Sequence, residues 1–405
     1  MTIFVRLYGY LWFFSEEKTL GEKTWTLYEG NRNMRTLGML SAPEDINNEI
    51  VYKSAPRGYL QNQEWVGKDE IIKHAYPDSS AEISAVDSKI GDMLMVYIGD
   101  DAKRTDNNRT SIYSSVYKDG EWSQPVQIDN DGTGDAYPSL AVDGENIYAS
   151  WLDMTEEMGT TSDMTEDDIT KNVLGKMGIS IAKYDVDTNS WSKQINIKND
   201  GIMKLPQIAA NDGKAMAVWV NNANMKLEGS LKKPDDIYYV YNDGSGWSIP
   251  NVFVSGAANV KEGKLYMHNG KGYYVFVTNA YSDGGIYKAY VTRFDGKSWS
   301  TPEELMDNNN EDSNIAIALY NGESTAFWQN GGAICMVSLE RPFTPQIIIN
   351  SPQAEDILEL DASSTESGVA LAWISAAAGE KRLYVSTFDE ESSSWTDGKN
   401  IAFDS

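Results

Sequence analysis

The chain has 405 residues and a formal net charge of −26, from 34 Lys and Arg against 60 Asp and Glu. That acidity excludes a nucleic-acid binder, which needs clustered Lys and Arg. Two histidines and one cysteine exclude a His-rich zinc site, a four-cysteine cluster and an internal disulfide, so metal chemistry here is oxygen-ligand chemistry, calcium or magnesium.

The chain opens on MTIFVRLYGYLWFF, which is apolar but carries Arg6 in its middle. No basic segment followed by a small-residue cleavage site is present, so it reads as an aromatic-rich strand rather than a signal peptide. No stretch approaches the roughly 18 consecutive apolar residues of a membrane helix, so no membrane insertion is expected. Within residues 1–77, YGYLWFFSEE and KTWTLYEGN read as strands, and NQEWVGKDEII reads as another with Trp65 as its landmark. This segment is expected to be a degenerate or partial seventh blade, or an extension.

From residue 78 onward one module recurs. A short apolar strand is followed by a Gly or Asp turn and a strand ending in a large aromatic. A third strand ends in Tyr or Phe, and a turn of Asp, Asn, Gly and Ser leads to a Trp. The second-strand aromatic falls at Tyr97, Trp151, Trp219, Phe276, Trp328 and Trp373. The later Trp falls at Trp122, Trp191, Trp247, Trp299 and Trp395, with Phe343 in that place in the fifth copy. Four short strands per repeat of about 40 to 55 residues is the period of a propeller blade. A blade cannot bury both faces alone, and radial stacking buries them. The expected fold is all-β, a β-propeller of six recognisable blades at 78–128, 129–198, 199–254, 255–307, 308–350 and 351–403.

The turn before the later Trp resembles the Asp-box of sialidase-like bacterial propellers, Ser-x-Asp-x-Gly-x-x-Trp. Asn242, Gly244 and Trp247 match it best, and Asp119, Gly120 and Trp122, or Asp295, Gly296 and Trp299, form shortened versions. The leading Ser is absent. The resemblance implies architecture only. That family's enzymes use an arginine triad, a Tyr–Glu nucleophile pair and an Asp acid/base. Arg293 and Arg341 border turns on the wrong face for such a triad, so sialidase activity is not expected.

Three sets of residues offer chemistry. Just after each second-strand aromatic lies Asp100, Asp153, Asn221, Asn279, Asn330 or Ser375. In a closed ring these form a polar crown that can bind a polyhydroxyl ligand, or they simply begin turns by bonding the local backbone. The inter-blade segment Asp129–Asp135 alternates Asp129, Asp131 and Asp135 with glycines, as in the first half of a calcium loop, but the bidentate Glu is missing because Leu140 stands there. A turn without metal is the alternative, and the polar run 307–314 is its blade-five counterpart. Near the channel, Glu82, Glu262 and Glu359 can supply an acid pair for glycoside cleavage, or contact backbone and water. The loop after Asp153, with Glu156, Glu157, Asp163, Glu166, Asp167 and Asp168, gathers either on a cation or in solvent. Cys335 in an apolar strand is expected to be a core thiol.

The expected function is a non-catalytic carbohydrate- or protein-binding propeller of a bacterial surface or secreted protein, monomeric or part of a longer chain. No cofactor is required, with calcium as an optional ligand. The alternatives are a glycoside hydrolase or lyase using the channel carboxylates, and a protein-interaction scaffold.

Overall fold

A computed structural model describes residues 58–61, 64–67 and 81–401, apart from 102, 106–107, 159–164, 283–284, 341–342, 351–355, 366–367, 377–381, 390–393 and 397. Strands β1 (Gly58–Gln61) and β2 (Glu64–Gly67) form an antiparallel hairpin that includes Trp65. The rest of residues 1–77, and with it the question of a seventh blade, lies outside the described residues.

Six antiparallel blades follow in sequence order and form a ring. Blade one is β3 (Ala81–Ala85), β4 (Met93–Asp100) and β5 (Thr110–Lys118), with an outer edge in two pieces, β6 (Glu121–Trp122) and β7 (Val126–Gln127). Blade two is β8 (Asp135–Asp143), β9 (Asn146–Met154) and β10 (Met177–Asp185), edged by β11 (Ser190–Trp191) and β12 (Ile195–Ile197). Its long loop carries a short helix, α1 (Glu166–Asn172). Blade three runs β13 (Ile202–Asn211), β14 (Lys214–Asn222), β15 (Asp236–Asn242) and β16 (Asn251–Val254). Blade four runs β17 (Val260–His268), β18 (Lys271–Thr278), β19 (Lys288–Phe294) and β20 (Glu303–Glu304). Blade five runs β21 (Asp312–Tyr320), β22 (Glu323–Asn330), β23 (Ala333–Ser338) and β24 (Gln346–Asn350). Blade six is β25 (Ile357–Thr365), β26 (Gly368–Ser375) and β27 (Arg382–Asp389), edged by β28 (Ser394–Trp395) and β29 (Lys399–Ile401).

The second-strand aromatics fill the seams between blades. Trp151, Trp219, Trp328, Trp373, Tyr97 and Phe276 are all buried. The core is a series of apolar clusters, each shared by neighbouring blades. Trp219 of blade three packs with Leu152 and Ile179 of blade two, and Trp328 of blade five with Val275 and Val291 of blade four. A Trp buries more apolar area than any other side chain, so it suits a wedge-shaped gap.

The later Trp residues sit half-buried and bind blade to blade from outside. Trp247 meets Tyr148 of blade two edge-on at 5.8 Å, and Trp299 stacks on Phe253 of blade three at 4.1 Å. Phe343 holds the same post in blade five, with the Arg293 guanidinium of blade four 4.6 Å from its ring centre. The turns that deliver these rings are tied by their own acids. Asp295 Oδ1 accepts the backbone N–H groups of Lys297 (2.9 Å) and Ser298 (2.8 Å).

One feature was invisible in the sequence. The inner strand of blades two to six carries one extra residue near its start, a β-bulge. Tyr137, Leu205 and Asn314 sit there with φ of 53°, 53° and 52°. Positive φ is rare for bulky residues and is held only by surrounding structure. Tyr137 and Leu205 each precede a proline, which gives up no ladder hydrogen bond at a bulge. The bulge bends the inner strand where it enters the channel and re-aims its side chains.

Glu262 uses the blade-five bulge as an anchor. Its carboxylate accepts the N–H of Asn314 (2.8 Å) and of Ile315 (2.6 Å), and the Asn314 amide donates onward to Ile357 O of blade six (3.0 Å). Replacing Glu262 by Ala strands two buried donors, at about 1–3 kcal/mol each. Thermal unfolding followed by circular dichroism should show a Tm lower by several degrees, with Glu262→Gln intermediate because one amide oxygen still accepts.

Candidate functional site

The loops joining second to third strands, and blade to blade, leave from one end of every blade. The crown residues stand at that end, but most turn inward. Asp153, Asn221, Asn330 and Ser375 are buried. Asn221 donates to Asp200 O (3.0 Å), and Asn330 donates to Asp312 Oδ1 (2.6 Å). Half-buried Asp100 receives Arg109, with Nε at 2.8 Å. Asn279 Oδ1 accepts the N–H of Asn259 at 3.3 Å. These side chains bond the fold's own polar groups where strands give way to loops.

The channel carboxylates divide. Glu262 is held in the seam of blades four and five and does not join the others. Glu82 on β3 is recessed in the channel, and burial raises its carboxyl above the ordinary range. Lys264 on β17 opposes that rise, while Asp361 and Glu359 on β25 add to it, so all three lie near enough to act on its charge. Glu359 and Asp361 are exposed. Blades one, four and six thus bring three carboxylates and one ammonium group to one stretch of the channel. Sequence reasoning missed Lys264, whose signal was its place two residues after Glu262 on an inner strand.

The inter-blade segment 129–135 forms a denser group. Asp135 opens β8 and pairs in register with Asp153 at the end of β9. Asp129 accepts Asp131 N–H (3.0 Å), Gln194 (3.2 Å) and the Trp151 indole N–H (3.2 Å). Asp131 Oδ1 accepts Thr133 N–H (2.8 Å), and Asp153 Oδ2 accepts Ser180 (2.5 Å) and Asn196 (2.8 Å). Asp135 is wholly buried and accepts no hydrogen bond at either oxygen. Burial is the main reason these carboxyls are hard to ionise, with their neighbours' charges adding to it. Asp129 is pushed up to about 6, Asp153 to about 7, and Asp135 well above its usual range.

Among the described residues, one cation serves the group. Arg104, from the loop between β4 and β5, lies beneath the turn with 5% of its side chain exposed. It donates to the carbonyls of Thr110 (3.2 Å), Asp129 (2.9 Å) and Thr133, and its Nη1 stands 3.6 Å from Asp135 Oδ2. Sequence reasoning missed Arg104 because nothing local marks it, and its partners in the next blade lie 25 to 31 residues downstream. Of the acids in the long blade-two loop, Glu156 pairs with Lys176 and Asp168 accepts Thr165 N–H at 3.0 Å. Cys335 is buried, and burial pushes its thiol up to about 12, so it is inert as a nucleophile.

No family model matches the chain, and no curated protein matches it. Solved structures do. An ulvan lyase, a polysaccharide lyase bound to a repeat of glucuronate and sulfated rhamnose, aligns with a TM-score of 0.50 and 8% identity over 76% of this chain and 78% of its own. An α-L-arabinanase from Penicillium chrysogenum complexed with arabinobiose gives 0.47 and 13%, over 80% and 96%. A Trypanosoma rangeli sialidase in complex with sialic acid gives 0.45 and 10%, over 82% of this chain but only 57% of its own. The likeness is one of architecture, the level at which the Asp-box-like turns point.

Removing Arg104 should be costly, because it leaves buried carbonyls and a buried carboxylate without their cation. Arg104→Ala is expected to lose about 3–5 kcal/mol, and Arg104→Lys to recover little of it, since an ammonium cannot span the same acceptors. Thermal unfolding measures the loss, and faster amide exchange confined to residues 129–135 places it.

Proposed function

We propose that this chain is a carbohydrate-binding propeller, of a bacterial surface or secreted protein, whose ligand enters the channel beside Glu82. The supporting observation is the Glu82, Glu359, Asp361 and Lys264 group, drawn from three blades. Carboxylates accept hydrogen bonds from paired sugar hydroxyls, and an ammonium group donates to them, so the set suits a polyhydroxyl ligand. The shared fold with the ulvan lyase suggests the ligand class. Glycan-array screening of the purified chain should find at least one binder. Titration calorimetry with that glycan should then show Glu82→Gln and Asp361→Asn each weakening binding by about tenfold or more, as expected for lost hydrogen bonds to charged groups. If no glycan binds, the reading fails.

A second reading has its own support. Glu82 holds a carboxyl that ionises late, beside Asp361 and Glu359, the kind of pairing that separates a general acid from a base. Any glycan cleavage here should fall as pH rises through the raised pKa of Glu82, because the protonated form is the one that donates. It should also vanish in Glu82→Gln. A reducing-sugar assay from about pH 4 to 8 decides, since activity needs an acid and base near the working range. No release at any pH leaves binding alone.

A further inference from the structure

We propose that the seam between blades one and two holds one hard divalent cation, calcium first, on the carboxylates of Asp129, Asp131 and Asp153. This stands apart from the carbohydrate reading and uses none of its residues. The first support is distance. One oxygen from each of the three acids lies within 4.8 Å of the others. Calcium binds carboxylate oxygens at about 2.3–2.6 Å, so ligands on opposite sides of the ion stand about 5 Å apart, and a triangle of this size fits around it.

The second support is Asp135, which is not one of those three. It is wholly buried, pairs in register with Asp153 and lies near enough to Asp129 and Asp131 for their charges to act on it, yet among the described residues it accepts no hydrogen bond, and its one cation, Arg104, stands 3.6 Å off. A buried carboxylate is normally paired and hydrogen-bonded. Thr133 does not relieve the group. Its hydroxyl lies 2.7 Å from Asp131 and 3.1 Å from Asp153, but has a single proton to give.

The third support comes from the chain's own repeats. Where blade three meets blade four, Lys204 sits 2.9 Å from Asp235, which also accepts Asn222 (2.9 Å) and the N–H of Val260 (2.9 Å). Where blade four meets blade five, Lys288 sits 3.7 Å from Asp312, which also accepts Trp328 (3.1 Å), Asn330 (2.6 Å) and the N–H of Ala289 (2.8 Å). In both seams a central acid has a lysine within 4 Å, the one at Asp312 being shared with Glu304 (3.4 Å). In the seam of blades one and two, four acids share one arginine among the described residues, and that arginine also pairs with Asp101 (3.5 Å). A divalent cation is the partner that restores the pattern. Asp131 is exposed and gives the ion its way in. The all-carboxylate set selects calcium or magnesium over zinc, and calcium's variable coordination fits an irregular loop better than the strict octahedron of magnesium.

The test is isothermal titration of calcium chloride into the full chain after chelator dialysis, with thermal unfolding in parallel. One saturable site per chain and a rise in Tm are expected. Asp131→Asn, on the surface and safe for folding, should weaken binding by about tenfold or more, because a charged ligand is lost. Asp243→Asn, in an exposed turn at the opposite end of a blade, should leave it unchanged. Magnesium should bind at least about tenfold more weakly. Absence of both heat and Tm change up to millimolar calcium overturns the proposal. So does an Asp131→Asn variant that binds as tightly as the parent, which puts the ion elsewhere on an acidic surface. Equal affinity for magnesium overturns the choice of calcium.

Discussion

Every blade is a small twisted sheet that is apolar on both faces, and covering those faces is the constraint from which the rest follows. The stacked blades exclude water from the seams, so the second strand of each must bring a large ring to fill the gap. Trp151, Trp219, Trp328 and Trp373 do this. The same dryness reaches the polar strand ends. A group that would be solvated at the tip of an ordinary hairpin is here wedged between two sheets and must find a partner inside the protein. Glu262, Lys204, Lys288 and Arg104 all reach such groups.

The two regions with excess charge differ in how they meet this demand. In the channel, Glu359 and Asp361 keep contact with water, so their charge is tolerated and available to a ligand. In the seam of blades one and two, Asp135 has no such contact. Its ionisation depends on what stands beside it. The first arrangement leaves its charge open to water, and the second shuts it away.

The architecture was legible because it rests on large residues at regular intervals. Trp and Tyr recur where the wedge between blades is widest, and even Phe343, the outlier, occupies the place its spacing assigns. Side-chain direction at the strand ends was not legible. The crown looked like a ring facing solvent because Asp153 and Asn330 follow their aromatics at a fixed interval. Whether they face out or in depends on the inner strand alongside, and there one inserted residue breaks the alternation. Nothing in DAYPSL or DSNIAI announces the bulge, beyond the proline after Tyr137. Long-range partners were hidden for a simpler reason. Lys264 and Arg104 act on residues from other blades, and no local pattern links them.

The pairing also has a temporal side. Within the described blades, each ladder joins strands that follow one another along the chain or skip only a short edge piece, and no strand is lent to a distant sheet. A nascent chain leaving the ribosome can therefore zip up one blade at a time, closing only loops that lie within a blade or lead to the next. Every finished blade then serves as the template face for the next. Arg104 has already emerged when the acids it must neutralise are made. Blade one is the exception to this orderly arrival. Ile83 on its inner strand is still 54% exposed in the assembled ring. During synthesis that flank waits longest for company, and so it is where a half-made chain is most open to unwanted association.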